Sequence, residues 1–190
     1  MHKKLKKYIE SYDQIQKGIT YELRPNGGMI VLINQENQCE VLIENETYQL
    51  QSNQSMLINA YETPVTVQST QNINLIAIRF KGAGASFFYE EYMDELMHNP
   101  KEPISLENNI QQNEYNEKEL DTYFQNRFKP SALPFNIMKI IDLLDEQGSD
   151  YNIDEVLAIA NCPRKILDKA FRLRAGITFK TYASLVKKAS

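Results

Sequence analysis

The chain has 190 residues, a hydrophobic share of 42% and a formal net charge of −4. That length suits one large or two small domains, and the apolar share is ample for a packed core. Two distant cysteines exclude a disulfide framework, no run approaches a membrane span, and the basic start (residues 1–7) lacks a signal-peptide core, which predicts a soluble cytoplasmic protein.

In chain order, residues 3–17 are polar and weakly amphipathic, as in a short helix or a loose strand leading in. From Tyr21 short apolar runs alternate with turn residues. Predicted strands cover 21–24, 29–34, 39–43, 47–50, 56–60, 65–68 and 73–80. The turn Pro25-Asn26-Gly27-Gly28 separates the first two, and Glu44-Asn45-Glu46 closes a hairpin between 39–43 and 47–50. About seven short strands with this punctuation fit a sandwich or a small barrel.

The period changes at Gly82-Ala83-Gly84. This pair lacks the third glycine of a dinucleotide fingerprint and the Gly-Lys-Ser/Thr of a phosphate loop, so it reads as a strand-to-helix hinge. A helix is predicted over 85–97, carrying Phe87, Phe88, Tyr92, Leu96 and Met97. A polar connector follows over 100–112. A helix over 116–128 then turns Leu120, Tyr123, Phe124 and Phe128 inward. Pro134 is placed as the first residue of the next helix, whose buried face is Ile137, Ile140, Ile141 and Leu144 and whose end is Gly148. A boundary near 130–134 divides the chain into a strand-rich unit (1–100), a helical connector (101–133) and a C-terminal unit (134–190).

Two short helical patterns fill that last unit. Ile153, Val156, Leu157 and Ala160 form one apolar face; after Asn161-Cys162-Pro163, Ile166, Leu167, Ala170 and Phe171 form a second, and Gly176 stops it. So short a turn between two apolar-faced helices fits a helix-turn-helix. From Pro163 onward the basic residues are Arg164, Lys165, Lys169, Arg172, Arg174, Lys180, Lys187 and Lys188, against the single acid Asp168. In an acidic chain this is a local asymmetry, suited either to phosphate attraction or to a solvated helix face.

Ala170-Phe171, Gly176, Thr178-Phe179 and Tyr182 resemble, in order and spacing, the first helix-turn-helix of the AraC/XylS family of transcription regulators. Asn161 stands where that family has a turn glycine, and Asn also visits left-handed conformations. Pro163 stands where its N-cap serine is usual, so Cys162 caps poorly, at about 1 kcal/mol. Residues 178–190 would be most of the family's linker helix. No second reader is expected, which implies either a truncated product or a short relative that pairs two chains. The resemblance also implies an α+β fold with an N-terminal cupin-like antiparallel β-barrel. Residues 24–30 and 76–85 look like a subgroup with such a sensing or dimerising barrel.

What the resemblance implies for function is a DNA-binding regulator with the helix over 164–175 in the major groove. Lys165, Asp168 and Lys169 match base-reading positions, Arg164 and Arg172 suit phosphate, and Lys180 and Thr181 suit backbone contacts. The partners are double-stranded DNA, a small-molecule effector and a second copy of the chain, with no membrane. The alternative is a ligand-binding or dimerising protein that no longer binds DNA specifically.

Enzyme chemistry is not expected. A metal-dependent cupin needs clustered histidines with a carboxylate, and this chain has only His2 and His98. Neither a catalytic triad nor a phosphate loop stands out, and Glu90, Glu91, Asp94 and Glu95 read as a solvated helix face, so no catalytic residue, metal or cofactor is assigned. Arg79 interrupts an apolar strand, either as an outward position or as the anchor of an anionic effector at the barrel mouth. Tyr21 and Tyr48, with Tyr61, line a pocket or serve as half-buried packing.

Overall fold

The structure, a computed structural model, describes residues 1–16, 18–106, 116–130 and 135–189. Nine strands among them form two antiparallel sheets: β1 (Ile9–Gln16), β2 (Thr20–Leu23), β3 (Ile30–Asn34), β4 (Cys39–Ile43), β5 (Glu46–Leu50), β6 (Ser55–Ile58), β7 (Val65–Gln68), β8 (Asn74–Phe80) and β9 (Ile104–Leu106). One sheet runs β1-β8-β3-β6-β9 and the other β2-β7-β4-β5. The predicted hairpin is β4 against β5, with Cys39 opposite Leu50 and Ile43 opposite Glu46. The sheets do not close into the expected barrel. The α+β fold is built instead on two sheets packed face to face over a shared core.

Alternation along the central strands explains their unbroken apolar sequences. Ile30, Leu32, Leu75 and Ala77 face Val41, Val65 and Val67 in the core between the sheets. Val31, Ile33, Ile76, Ile78 and Phe80, one residue out of phase, enter a second core with the helices. The central strands β3, β6 and β8 are thus buried on both faces, whereas β4 and β7 alternate buried with half-buried residues, as one-sided strands do.

The helices cover that second face. They are α1 (Met93–His98), α2 (Glu117–Arg127), α3 (Ile137–Gln147), α4 (Ile153–Ala160), α5 (Arg164–Ala175) and α6 (Phe179–Ala189). The side chains of Asn116 and Asn136 cap α2 and α3. Leu120 and Phe124 are buried as predicted, with Ile137, Ile140, Ile141 and Leu144. A ring cluster joins α2 to the sheet: Phe124 meets Phe88 at 5.2 Å, Phe80 at 5.8 Å and Tyr12 at 6.0 Å.

Several expectations differ from this fold. Residues 3–17, read as a short helix or a loose strand, hold both: a 3-10 turn, Leu5–Lys7, and then the eight-residue strand β1, of which only Ile9 and Ile15 are buried. β9 lies inside the predicted connector, whose residues 107–112 are outside the described residues. The helix expected over 85–97 is two 3-10 helices, Gly82–Phe87 and Glu90–Tyr92, and then α1. Gly84 lies so close to the Tyr8 backbone that a Cβ has no room. α3 starts at Ile137; Pro134, expected to start it, lies outside the described residues with 131–133. Phe128 is 37% exposed instead of inward, although its ring stacks on Phe87 at 5.9 Å.

The two phenylalanines of α2 and its end test this packing. Phe124→Ala removes a fully buried ring and should lower stability by about 3–5 kcal/mol in urea unfolding. Phe128→Ala should cost less than half of that. Equal losses would contradict the burial assigned to them.

Candidate nucleic-acid interface

The helix-turn-helix is assembled by local backbone chemistry. Asn152 caps α4 by accepting from the Asp154 N–H at 2.9 Å. Asn161 adopts the left-handed conformation (φ 47°, ψ 42°), as a turn asparagine can, and its N–H donates to Leu157 O at 2.9 Å. Pro163 is the N-cap residue of α5 and supplies no side-chain bond, while the Cys162 side chain is hydrogen-bonded to the Leu167 backbone. Gly176 ends α5 in the left-handed region, at φ 77°. Thr178 Oγ1 then accepts from the Thr181 N–H at 3.0 Å and opens α6.

One face of α5 is buried through Leu167, Ala170, Phe171, Arg174 and Ala175. Phe171 meets Phe179 at 5.3 Å and Tyr182 at 5.7 Å. Arg164, Lys165, Lys169 and Arg172 are exposed together on the opposite side. Asp168 is half-buried, and its Oδ1 is buried without a hydrogen-bond partner among the described residues, so half of its acceptor capacity is turned inward. Lys180 is exposed; Thr181 is half-buried and its hydroxyl accepts from Thr178 at 3.0 Å.

Two residues of α5 depart from their sequence reading. Ile166, expected on the buried face, is 47% exposed beside the basic residues, because the stripe that packs starts one position later, at Leu167. Arg174 is not a surface cation: it is 8% exposed and donates to Glu90 Oε1 at 3.0 Å, an ion pair between α5 and the start of the segment leading into α1. Nothing in the spacing of either residue signals that pair.

The C-terminal helices are seated on the strand-rich half at three glycines. A Cβ on Gly27 would lie 2.7 Å from the ring of Tyr182, and one on Gly82 would lie 2.6 Å from Ile141. A Cβ on Gly176 would overlap the Asn59 side chain, whose amide donates to Gly176 O at 3.4 Å. The Tyr182 hydroxyl donates to Asp145 Oδ1 at 2.8 Å. Burial pushes the Asp145 carboxyl above its ordinary 3.8, against the lowering effect of that bond.

Of the effector candidates, Arg79 lines a groove of about 780 Å³ with Arg24 and Lys81, with the carboxylates Glu10, Glu22, Glu62 and Asp145, and with Leu185 and Val186 of α6. Its guanidinium donates to Arg24 O at 2.9 Å and pairs with Glu10 at 3.4 Å. Tyr21 lies opposite Val67 on β2, and Tyr48 and Tyr61 donate to the Lys101 carbonyl at 3.2 and 2.8 Å. The structure therefore does not gather the tyrosines with Arg79. Arg24, Lys81 and Asp145 were missed, since groups from three separate segments meet there only after folding. Among the described residues no three His, Cys, Asp or Glu side chains could hold a metal ion, and no helix is long and apolar enough to cross a membrane.

Asp145 gives this seam a pH signature. Its folded-state value lies above its unfolded one, so the native chain keeps a proton that the unfolded chain has lost, and stability falls as pH rises through that window. Asp145→Asn retains an acceptor for Tyr182 and removes the titration. Relative to wild type, the Tm of the variant should rise as pH is raised above the ordinary carboxylate range; a profile parallel to wild type would rule this contribution out.

No family model matches the chain, and no curated protein matches it. Solved structures do. An apo ToxT variant from Vibrio cholerae strain SCE256 aligns over 93% of this chain and 78% of its own, with a TM-score of 0.52 and 13% identity. A second ToxT structure from Vibrio cholerae covers 93% and 79%, at 0.46 and 15%. A cupin-2 domain protein from Shewanella frigidimarina covers 35% of this chain and 66% of its own, at 0.31 and 10%. At such identities the likeness is one of fold, shared with the apo ToxT variant over 93% of this chain.

Proposed function

We propose that this chain is a DNA-binding transcription regulator of the AraC type, with α5 in the major groove and the strand-rich half serving effector binding or dimerisation. The observation that carries this reading is the exposed set Arg164, Lys165, Lys169 and Arg172 on a helix whose other face is buried, in a chain of net charge −4. Lys165 and Lys169 would donate to guanine O6 and N7, and the outer oxygen of Asp168 would accept from cytosine N4. Arg164, Arg172, Lys180 and Thr181 would hold the phosphate backbone. Two chains paired through their strand-rich halves would present two such helices to half-sites a whole number of DNA turns apart. An anionic effector would be held by Arg79 with Arg24 and Lys81, a set to which Tyr21 and Tyr48 do not contribute.

The competing reading is a ligand-binding or dimerising protein without specific DNA affinity. It is favoured by the absence of a side-chain cap from Pro163 on α5.

Fluorescence anisotropy against duplex DNA from upstream of the chain's own gene, over a salt series, separates the two. Saturable, sequence-dependent binding with a steep salt slope is expected. Lys169→Ala should weaken it by roughly 1–3 kcal/mol. Unchanged affinity in that variant would sink the assignment of α5, and sequence-blind or absent binding would favour the second reading.

A further inference from the structure

The first seven residues contain four lysines, Lys3, Lys4, Lys6 and Lys7, and no acid. All four side chains are exposed, and among the described residues none has an ion-pair partner. The segment is tied down. Leu5 is buried, the Leu5–Lys7 turn is closed by Tyr8 N–H to Leu5 O at 2.8 Å, and the terminal ammonium is paired with Glu117. Three acids of this region have partners of their own: Glu117 and Asp121 face that ammonium, and Glu10 holds Arg79 and Asn26. Four like charges are thus fixed on one short stretch without neutralisation, an arrangement that an anionic partner relieves.

The position of the cluster says which partner. Tyr8, directly after it, packs its ring on Phe87 at 4.7 Å, and Tyr8 O accepts from the Lys81 N–H at 2.9 Å. The short helix Gly82–Phe87 between those contacts is also the element on which α5 rests. Six residues of 3-10 helix span only about 12 Å. The lysine cluster and α5, through its buried face, are therefore both anchored to one element much shorter than a turn of duplex, about 34 Å.

We propose that Lys3, Lys4, Lys6 and Lys7 form a second phosphate-contacting surface for double-stranded DNA, supplementing α5. The proposal rests on the DNA-binding reading above. A single reading helix leaves most of the required backbone contacts to other parts of the protein, and lysine ammonium groups on flexible stems supply them without sequence preference.

The test is the salt slope of binding to a random-sequence duplex, measured by anisotropy with the full chain. Each phosphate contact contributes about 0.9 to the slope of log K against log salt. The quadruple variant Lys3→Gln, Lys4→Gln, Lys6→Gln, Lys7→Gln should have a slope shallower by about 3 to 4, with an unchanged far-UV spectrum. Arg172→Gln, in the α5 set, should reduce it by about 1. A slope lowered by Arg172→Gln but not by the quadruple variant overturns the proposal and leaves the role of α5 standing. No duplex binding by the wild-type chain removes both. Charge-dependent binding of the wild type, but not the quadruple variant, to phosphatidylserine vesicles, with the DNA slope unmoved, assigns the cluster to a lipid surface instead.

Discussion

The structure depends on three central strands, β8, β3 and β6, that have almost no solvent face. β8 lies between β1 and β3, contributes Leu75 and Ala77 to the inter-sheet core, and turns Ile76, Ile78 and Phe80 to the helices. Leaving that second set uncovered would expose a continuous apolar surface, so the helices must lie on it. The cluster that begins at Val31 and Phe80 runs without interruption to Leu167, Phe171 and Phe179. The helix-turn-helix is therefore a continuation of the sandwich's outer core and not a body hung on a linker.

Close approach of backbones sets how that continuation is oriented. At Gly27, Gly82 and Gly176 a side chain of the opposing half occupies the volume a Cβ would take. Two of these neighbours, Tyr182 and Asn59, also make hydrogen bonds across or beside the seam. Packing at this distance tolerates little sliding, because dense interiors transmit a displacement instead of absorbing it. The Arg79 groove opens along the same seam, against Leu185 and Val186 of α6.

Charge follows the same division. Arg174 belongs to the basic run of α5 in sequence, yet it is spent inside the protein on Glu90. Its neighbours Lys169 and Arg172 remain outside. The difference is angular: Arg174 falls on the helical stripe of Leu167, Ala170 and Phe171, where an uncompensated guanidinium would be costly and a carboxylate from the strand-rich half meets it. Asp168 shows the reverse, an acid turned partly inward.

Local signals were legible in the sequence wherever the physics is local. The seven central strands, the Asn161 and Gly176 turns, and the apolar faces of α3 and α4 all follow from period, turn chemistry and left-handed preference within a few residues. What only the tertiary structure decided needed partners far along the chain. β1 is a strand because β8 offers it a ladder, not because its own pattern demands one. Gly84, just before the 85–97 segment, is required because the Tyr8 backbone fills the volume a Cβ would take. Arg79, Arg24, Lys81 and Asp145 share a groove although three separate segments carry them. Sequence periodicity reports which face of an element will be buried; it carries no information on what that face will meet, because the meeting is set by the packing of distant elements.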